Sequence, residues 1–149
     1  MRTAIIMVFF VALGVSCKKS NNCDGPNRNC SGIMCVAFWS YFDFRLTDKT
    51  TGADLVFANN PRYTANDIKL YSDIGRTRSL YLYFDNTKKV IHTMTANEEM
   101  YLVIKGTDVY KLTASFRSKH CCANQVGALW QDGQMVCSCC PDAINLAVQ

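Results

Sequence analysis

The chain has 149 residues, of which 49% are hydrophobic and 19% charged, so it is long enough to bury the core of one domain but cramped for two. Eight glycines and three prolines exclude a collagen-like or low-complexity chain. The net charge of +4 is spread over 16 basic and 12 acidic residues without a long basic run, so nucleic acid is not a predicted partner.

The first sixteen residues have the pattern of an export signal, with a basic start and an uncharged stretch over 4–15. As a helix this stretch spans about 18 Å, against about 30 Å of bilayer hydrocarbon, which indicates a signal-peptide core rather than a membrane span. Ser16 directly precedes Cys17, as at the site where bacterial lipoproteins are cut and acylated. We predict a lipoprotein signal peptide at 1–16 and lipidation at Cys17, with palmitate among the acyl chains. Because Gly14 stands where a larger aliphatic residue is usual, an ordinary secretory signal is the alternative.

The number of cysteines supports lipidation. Nine is an odd number, whereas an exported protein oxidises its thiols in pairs. Lipidation of Cys17 leaves eight cysteines, and two or three acyl chains hold a protein stably on a membrane.

The start of the mature chain, Cys-Lys-Lys-Ser-Asn-Asn at 17–22, is followed by Thr-Gly-Ala-Asp-Leu-Val-Phe at 51–57, Pro-Arg-Tyr at 61–63 and Asn-Asp-Ile-Lys-Leu-Tyr at 66–71. These segments resemble uncharacterised small outer-membrane lipoproteins of Bacteroidota bacteria. The resemblance implies an outer-membrane protein held by its lipid and implies no ligand. Surface-exported members of that group often carry acidic residues just after the cysteine. Since Lys and Asn stand there in this chain, we expect the periplasmic side rather than the cell surface.

The remaining sequence predicts short strands separated by turns, taken here in chain order. A polar, turn-rich tether at 17–35 contains Cys23, Cys30 and Cys35. Strands are predicted at 36–46, 55–57, 68–71, 80–84, 90–94, 100–105, 109–117, 128–130 and 135–137, the last two forming a hairpin across Asp132-Gly133. Residues 141–149 are predicted to be a C-terminal tail.

This pattern predicts an all-β domain at 36–140, namely an antiparallel immunoglobulin-like or transthyretin-like β-sandwich of seven to nine strands. A small β-barrel is the alternative. Two packed layers are favoured because one open sheet would expose Phe42, Phe44, Leu82 and similar side chains, at a cost of about 1.5–3 kcal/mol for each.

The eight remaining cysteines form an early group and a late group. The early group is Cys23, Cys30 and Cys35, and the late group is Cys121, Cys122, Cys137, Cys139 and Cys140. If all are paired, at least one disulfide must join the groups, because each contains an odd number. The adjacent cysteines are expected to bond elsewhere, since neighbours are poorly placed for normal disulfide geometry. The alternative is an envelope metal-binding or thiol protein that uses the late cluster, including His120 and the Cys-x-x-Cys spacing of Cys137 and Cys140.

No catalytic motif occurs in the sequence, which contains two histidines, His92 and His120. Glu98 and Glu99 follow Asn97 in a predicted turn and are interpreted as solvated. We therefore predict neither an enzyme nor a cofactor.

Aromatic side chains lie on the strand faces opposite to the predicted core. They are Trp39, Tyr41, Tyr71, Tyr81, Tyr83 and Tyr101. Such rings can bind a glycan or a protein partner, although cross-strand packing is the simpler interpretation. The sequence thus predicts a lipid-anchored, disulfide-stapled binding or assembly module of the cell envelope, without catalysis.

Overall fold

The computed structural model describes residues 31–32, 34–35 and 39–149. The predicted signal peptide, the lipidation site Cys17 and the cysteines Cys23 and Cys30 lie outside the described residues. Within this part of the chain no helix is long and apolar enough to cross a membrane.

Ten strands and one 3-10 turn (Ala65–Asp67) make up the regular structure of the described residues. The strands are β1 (Trp39–Asp48), β2 (Ile68–Tyr71), β3 (Ser79–Leu80), β4 (Tyr83–Asp85), β5 (Val90–Met94), β6 (Glu99–Ile104), β7 (Asp108–His120), β8 (Ala123–Gln131), β9 (Gln134–Ser138) and β10 (Ile144–Val148). In β1 the buried Phe42, Phe44 and Leu46 alternate with half-buried residues, as a period of two requires. The all-β class is confirmed, with more strands than the seven to nine predicted.

The strands form one curled, open and mostly antiparallel sheet in the order β3-β2-β6-β7-β8-β1-β5-β4, with β9 added to β8 and β10 added to β1. Strand β1 is the junction. One of its edges pairs with β5, while the other pairs in parallel first with β8 and then with β10. The two layers expected of a β-sandwich are therefore the halves of one curled sheet, because β1 joins them by hydrogen bonds. A single hydrophobic cluster includes side chains from both halves, such as Phe44 and Leu102.

The two edges of the sheet are consecutive in the chain. Only Tyr81 and Leu82 separate β3, which pairs with β2, from β4, which pairs with β5. The hydroxyl of Thr93 donates to the carbonyl of Tyr81 at 2.8 Å. The strand predicted at 80–84 is thus two short strands, because the chain changes its pairing partner at Tyr81.

Two further predictions are corrected. Residues 55–57 are not a strand, because the Asp54 carboxylate accepts hydrogen bonds from the backbone N–H groups of Val56 and Phe57 and turns the chain. The predicted tail at 141–149 contains β10. Its buried Ile144, Leu146 and Val148 alternate with exposed residues, a period-two signal that the sequence already carried.

A β-bulge in β8 positions the late cysteines. The register shifts so that Gly127 has no partner between the pairs Ser115–Ala128 and Phe116–Val126. The carbonyl of Gly127 accepts the backbone N–H of Cys140 at 3.0 Å. The bulge therefore ties the segment between β9 and β10 to the sheet.

All six cysteines of the described residues are in disulfides. Cys35 bonds to Cys122 across 87 positions of sequence, and Cys137 bonds to Cys140. The predicted bridge between the early and late groups is confirmed. The expectation that adjacent cysteines bond elsewhere holds for Cys122 and Cys140.

Candidate ligand-binding groove

The outer face of β1 carries Tyr41, Asp43 and Arg45, which alternate with its buried phenylalanines. Asp43 lies opposite His92 on β5, and His92 lies opposite Tyr83 on β4. Residues that face each other in register point to the same side of a sheet. The pairing therefore gathers aromatic, acidic and basic side chains from three strands on one surface.

A groove of about 500 Å³ lies on this surface, and we refer to it as the Tyr41 groove. Its lining residues are Tyr41, Asp43, Arg45, Lys88, Val90, His92, Lys119, Asp142 and Ala143. They come from β1, β5, β7, the turn between β4 and β5, and the segment before β10. This volume is within the range of about 300–1,000 Å³ that is typical of small-molecule sites.

Asp43 and His92 form a short contact within the lining of the groove. Nδ1 of His92 lies 2.5 Å from Oδ1 of Asp43. Because an ionised carboxylate only accepts hydrogen bonds, Nδ1 carries a hydrogen and donates a hydrogen bond to Asp43. The imidazole also stacks against Tyr41, with ring centroids 6.2 Å apart and planes at 29°. The carboxylate and the tyrosine ring thus fix the orientation of the histidine.

Lys119 lies against the same tyrosine. Its Nζ is 2.5 Å from Oδ1 of Asp142 and 5.5 Å from the centroid of the Tyr41 ring. Burial opposes the charge of Lys119, but hydrogen bonds with Asp142 and Tyr41 outweigh it and raise the pKa of the lysine. Lys119 is therefore a fixed cation whose charge is matched by Asp142.

Arg45 is held in place by backbone groups. Its Nε donates to the carbonyl of Lys89 at 2.7 Å, and Nη2 donates to the carbonyl of Lys88 at 3.2 Å. Among the described residues no carboxylate forms an ion pair with this guanidinium. The turn between β4 and β5 therefore orients Arg45 without neutralising it.

The structure separates the tyrosines that the sequence grouped together. Tyr81 is 77% exposed and Tyr83 is 53% exposed, whereas Tyr41 is half-buried in the groove. Tyr101 is only 7% exposed and lies on β6, three strands away from β1. The side chain of Trp39 lies outside the described part of the chain. Tyr41 and Tyr83 thus share a surface, to which Tyr101 does not belong.

Tyr101 has a different environment. Tyr71 on β2 and Lys111 on β7 are its cross-strand neighbours, and its hydroxyl donates to Glu99. The Lys111 ammonium lies 2.6 Å from Glu99 and, with Tyr101, lowers the pKa of that carboxyl. Glu99 begins β6 rather than lying in the predicted turn. These contacts are those of a packed sheet surface.

A second groove of about 550 Å³ lies beside β2 and β3. Buried or half-buried apolar side chains, among them Leu70, Leu80 and Phe84, form much of its lining, with Arg76 and Tyr81 among the exposed residues. Arg76 is already engaged, because its Nη1 donates to the carbonyl of Gly106 at 3.0 Å. The second groove thus has one oriented cation and no carboxylate in its lining, whereas the Tyr41 groove combines oriented cations with two carboxylates.

The late cysteines do not present thiolates in this structure. Cys121, Cys122, Cys137, Cys139 and Cys140 are all disulfide-bonded, and metals bind the thiolate form of cysteine. Across residues 31–32, 34–35 and 39–149, no group of three or more His, Cys, Asp or Glu side chains is arranged to hold a metal ion. The His120 side chain is outside the described part of the chain.

Residue alternation in β1 places Asp43 and Arg45 on the same face as Tyr41, which the sequence predicts to lie opposite to the core. It did not predict that His92, Lys119 and Asp142 would join them, because that depends on strand register and on the unforeseen strand β10.

Comparison with known proteins finds no matching family model, no similar curated protein and no similar solved structure.

Proposed function

We propose that this chain is an exported, lipid-anchored binding module of the cell envelope, which holds its ligand in the Tyr41 groove. Its role is recognition or assembly without a catalytic step. The lipid at Cys17 anchors the protein, and the protein lies on the periplasmic side of the outer membrane. The relationship to small outer-membrane lipoproteins of Bacteroidota is part of this proposal.

Export is supported by the cysteines and by the first residues of the chain. Disulfides persist in oxidising compartments, and every described cysteine is disulfide-bonded. The uncharged stretch at 4–15 followed by Ser16 and Cys17 has the order of a lipoprotein signal.

The observation that carries the binding role is the preorganised set of charges in the groove. Asp43 fixes His92, Asp142 fixes Lys119, and two backbone carbonyls fix Arg45. Side chains held before a ligand arrives lose less entropy on binding, so a rigid polar groove on strands favours recognition.

Backbone amide NMR spectra during ligand titration test this proposal. The disulfide-intact protein is titrated with defined neutral saccharides, acidic saccharides and short peptides. We expect one class to shift the amide signals of β1, β5 and residues 141–143, with much smaller shifts in β2 and β6. If no class shifts those signals, or if the shifts concentrate in the second groove, the assignment of the site is wrong.

A further inference from the structure

We infer that the ligand of the Tyr41 groove is an acidic saccharide, recognised through a carboxylate or phosphate group by Arg45 and through a sugar ring by Tyr83. This inference rests on the proposed function and names the chemistry of its ligand.

The lining of the Tyr41 groove contains more cationic than anionic side chains. Asp142 is paired with Lys119, and Asp43 accepts a hydrogen bond from His92. The lining contains these two carboxylates and three cationic side chains, those of Arg45, Lys88 and Lys119. Arg45 has no carboxylate partner among the described residues. Lys88 is largely exposed, and its ammonium lies 4.0 Å from a carboxylate oxygen of Asp85. An anionic ligand therefore meets both Arg45 and Lys88 in the lining of the groove.

Arg45 is oriented to make a two-point contact. A guanidinium has five N–H donors in a planar fork, and only Nε and one hydrogen of Nη2 are used by the turn. The remaining N–H groups, on Nη1 and Nη2, are left to donate to the two oxygens of a carboxylate or phosphate group. This geometry matches a carboxylate or a phosphate better than a neutral hydroxyl.

An exposed ring lies on β4, beside the strand that carries His92. Tyr83 is 53% exposed and is the cross-strand neighbour of His92, which lines the groove. The face of Tyr41 is already in contact with His92 and Lys119, so Tyr83 is the tyrosine available beside the groove. An amphipathic ring next to fixed polar groups suits a sugar, which presents apolar C–H faces and polar edges.

Calorimetric titration with matched ligands tests the charge requirement. The ligands are trigalacturonate, its fully methyl-esterified form, a phosphorylated saccharide, inorganic phosphate and hexaglutamate. We expect trigalacturonate to bind at least about tenfold more tightly than the ester, and binding to weaken when the ionic strength rises from about 0.05 M to about 0.5 M. Tighter binding of the phosphorylated saccharide than of trigalacturonate would identify phosphate as the preferred acidic group and support the inference.

Variants locate the contacts. Arg45→Lys keeps the charge but loses the fork, and we expect it to weaken trigalacturonate binding by about tenfold. Tyr83→Ala should weaken the binding of the saccharides without changing the binding of inorganic phosphate. Matched controls are Lys69→Ala and Tyr81→Ala, two exposed residues that line the second groove. Unfolding midpoints of all variants establish that each is folded.

The outcomes separate this inference from the proposed function. Equal binding of the acid and its methyl ester, or full affinity in Arg45→Lys, overturns the inference while binding in the groove stands. Tighter binding of hexaglutamate than of any saccharide also overturns it, in favour of an acidic peptide. If inorganic phosphate binds as tightly as the saccharides, the ring contact at Tyr83 is wrong. If no ligand perturbs the groove, the proposed function itself fails.

Discussion

The hydroxyl of Tyr63, a buried side chain, donates a hydrogen bond to the backbone carbonyl of Gln149 at 2.7 Å. The backbone N–H of Gln149 donates in turn to the hydroxyl of Tyr110 at 3.1 Å. Two tyrosines distant in sequence thus hold the residue that follows β10.

Tyr63→Phe should therefore lower the free energy of unfolding by about 1 kcal/mol, because the ring stays packed and one hydrogen bond is lost. Urea unfolding monitored by circular dichroism measures the change. Tyr81→Phe is the control, since this side chain is largely exposed, and it should leave the unfolding midpoint unchanged. Equal midpoints for wild type and Tyr63→Phe would show that the hydrogen bond does not contribute to stability.

The two described disulfides should differ in their effect on stability. In the loop-entropy model the long loop closed by Cys35 and Cys122 is worth about 4–5 kcal/mol, and the short loop closed by Cys137 and Cys140 about 2 kcal/mol. We expect the double variant Cys35→Ser/Cys122→Ser to unfold at a clearly lower urea concentration than Cys137→Ser/Cys140→Ser. The opposite order would mean that the short bridge stabilises the folded state by some means other than loop closure.

Acid should destabilise the fold through three turn carboxylates. Backbone N–H donors lower the pKa of Asp48, Asp67 and Asp73 below the usual 3.8. In the unfolded chain each carboxyl therefore binds a proton at a higher pH than in the folded chain. Their stabilisation is complete well above 3.8 and is lost as the pH falls through the folded values.

Unfolding midpoints in urea, measured at intervals from about pH 6 to about pH 2, should fall steadily below about pH 5. Asp73→Asn should flatten that decline, because its carboxylate accepts from the backbone N–H groups of Thr77 and Arg78 and the amide that replaces it does not titrate. A midpoint that does not change across this range would contradict the assignment.

A side chain at the bulge should be costly. A Cβ on Gly127 would lie 3.3 Å from Cγ of Arg117, whose stem packs over the glycine. We expect Gly127→Val to destabilise the protein by about 1–3 kcal/mol through overpacking. In an Arg117→Ala background the same change should cost less, and a double-mutant cycle measures the coupling. Additive effects would show that the contact with Arg117 is not the cause.

Membrane attachment should depend on one sulfur. Cys17→Ser removes the predicted acylation site, so the protein should move from the detergent phase to the aqueous phase in a Triton X-114 partition. Cys35→Ser, which removes a cysteine on the other side of the tether, should leave the partition unchanged. If Cys17→Ser still enters the detergent phase, the lipoprotein interpretation is wrong.

Local patterns predicted the strands whose sequence alternates clearly. Strands β2 and β5 have the predicted bounds, and the hairpin across Asp132-Gly133 joins β8 and β9. The prediction of a single strand at 80–84 is wrong. Its residues alternate uniformly, but the strand that they pair with changes from β2 to β5. Alternation reports which face a residue occupies and contains no information about the neighbouring strand.

The groove was harder to predict than the strands. No motif in the sequence links His92 to a partner, and its side chain is half-buried. Its contact with Asp43 arises from the register between β1 and β5, which join residues 49 positions apart. Lys119 and Asp142 meet because β10 lies beside β1, whereas the sequence predicts a tail at the segment that forms β10.

The disulfide between Cys35 and Cys122 also determines how the protein responds to mechanical force. When the chain is pulled from a point before Cys35 and a point after Cys122, tension passes through the sulfur atoms and bypasses residues 36–121. About 300 Å of contour length then stays locked, at about 3.5 Å for each extended residue. Strands β1 to β7 remain unloaded along their backbones, because all of them lie between Cys35 and Cys122. A molecule held at its N-terminal side thus keeps the β1 side of its groove folded when force is applied, because the disulfide carries the force past it.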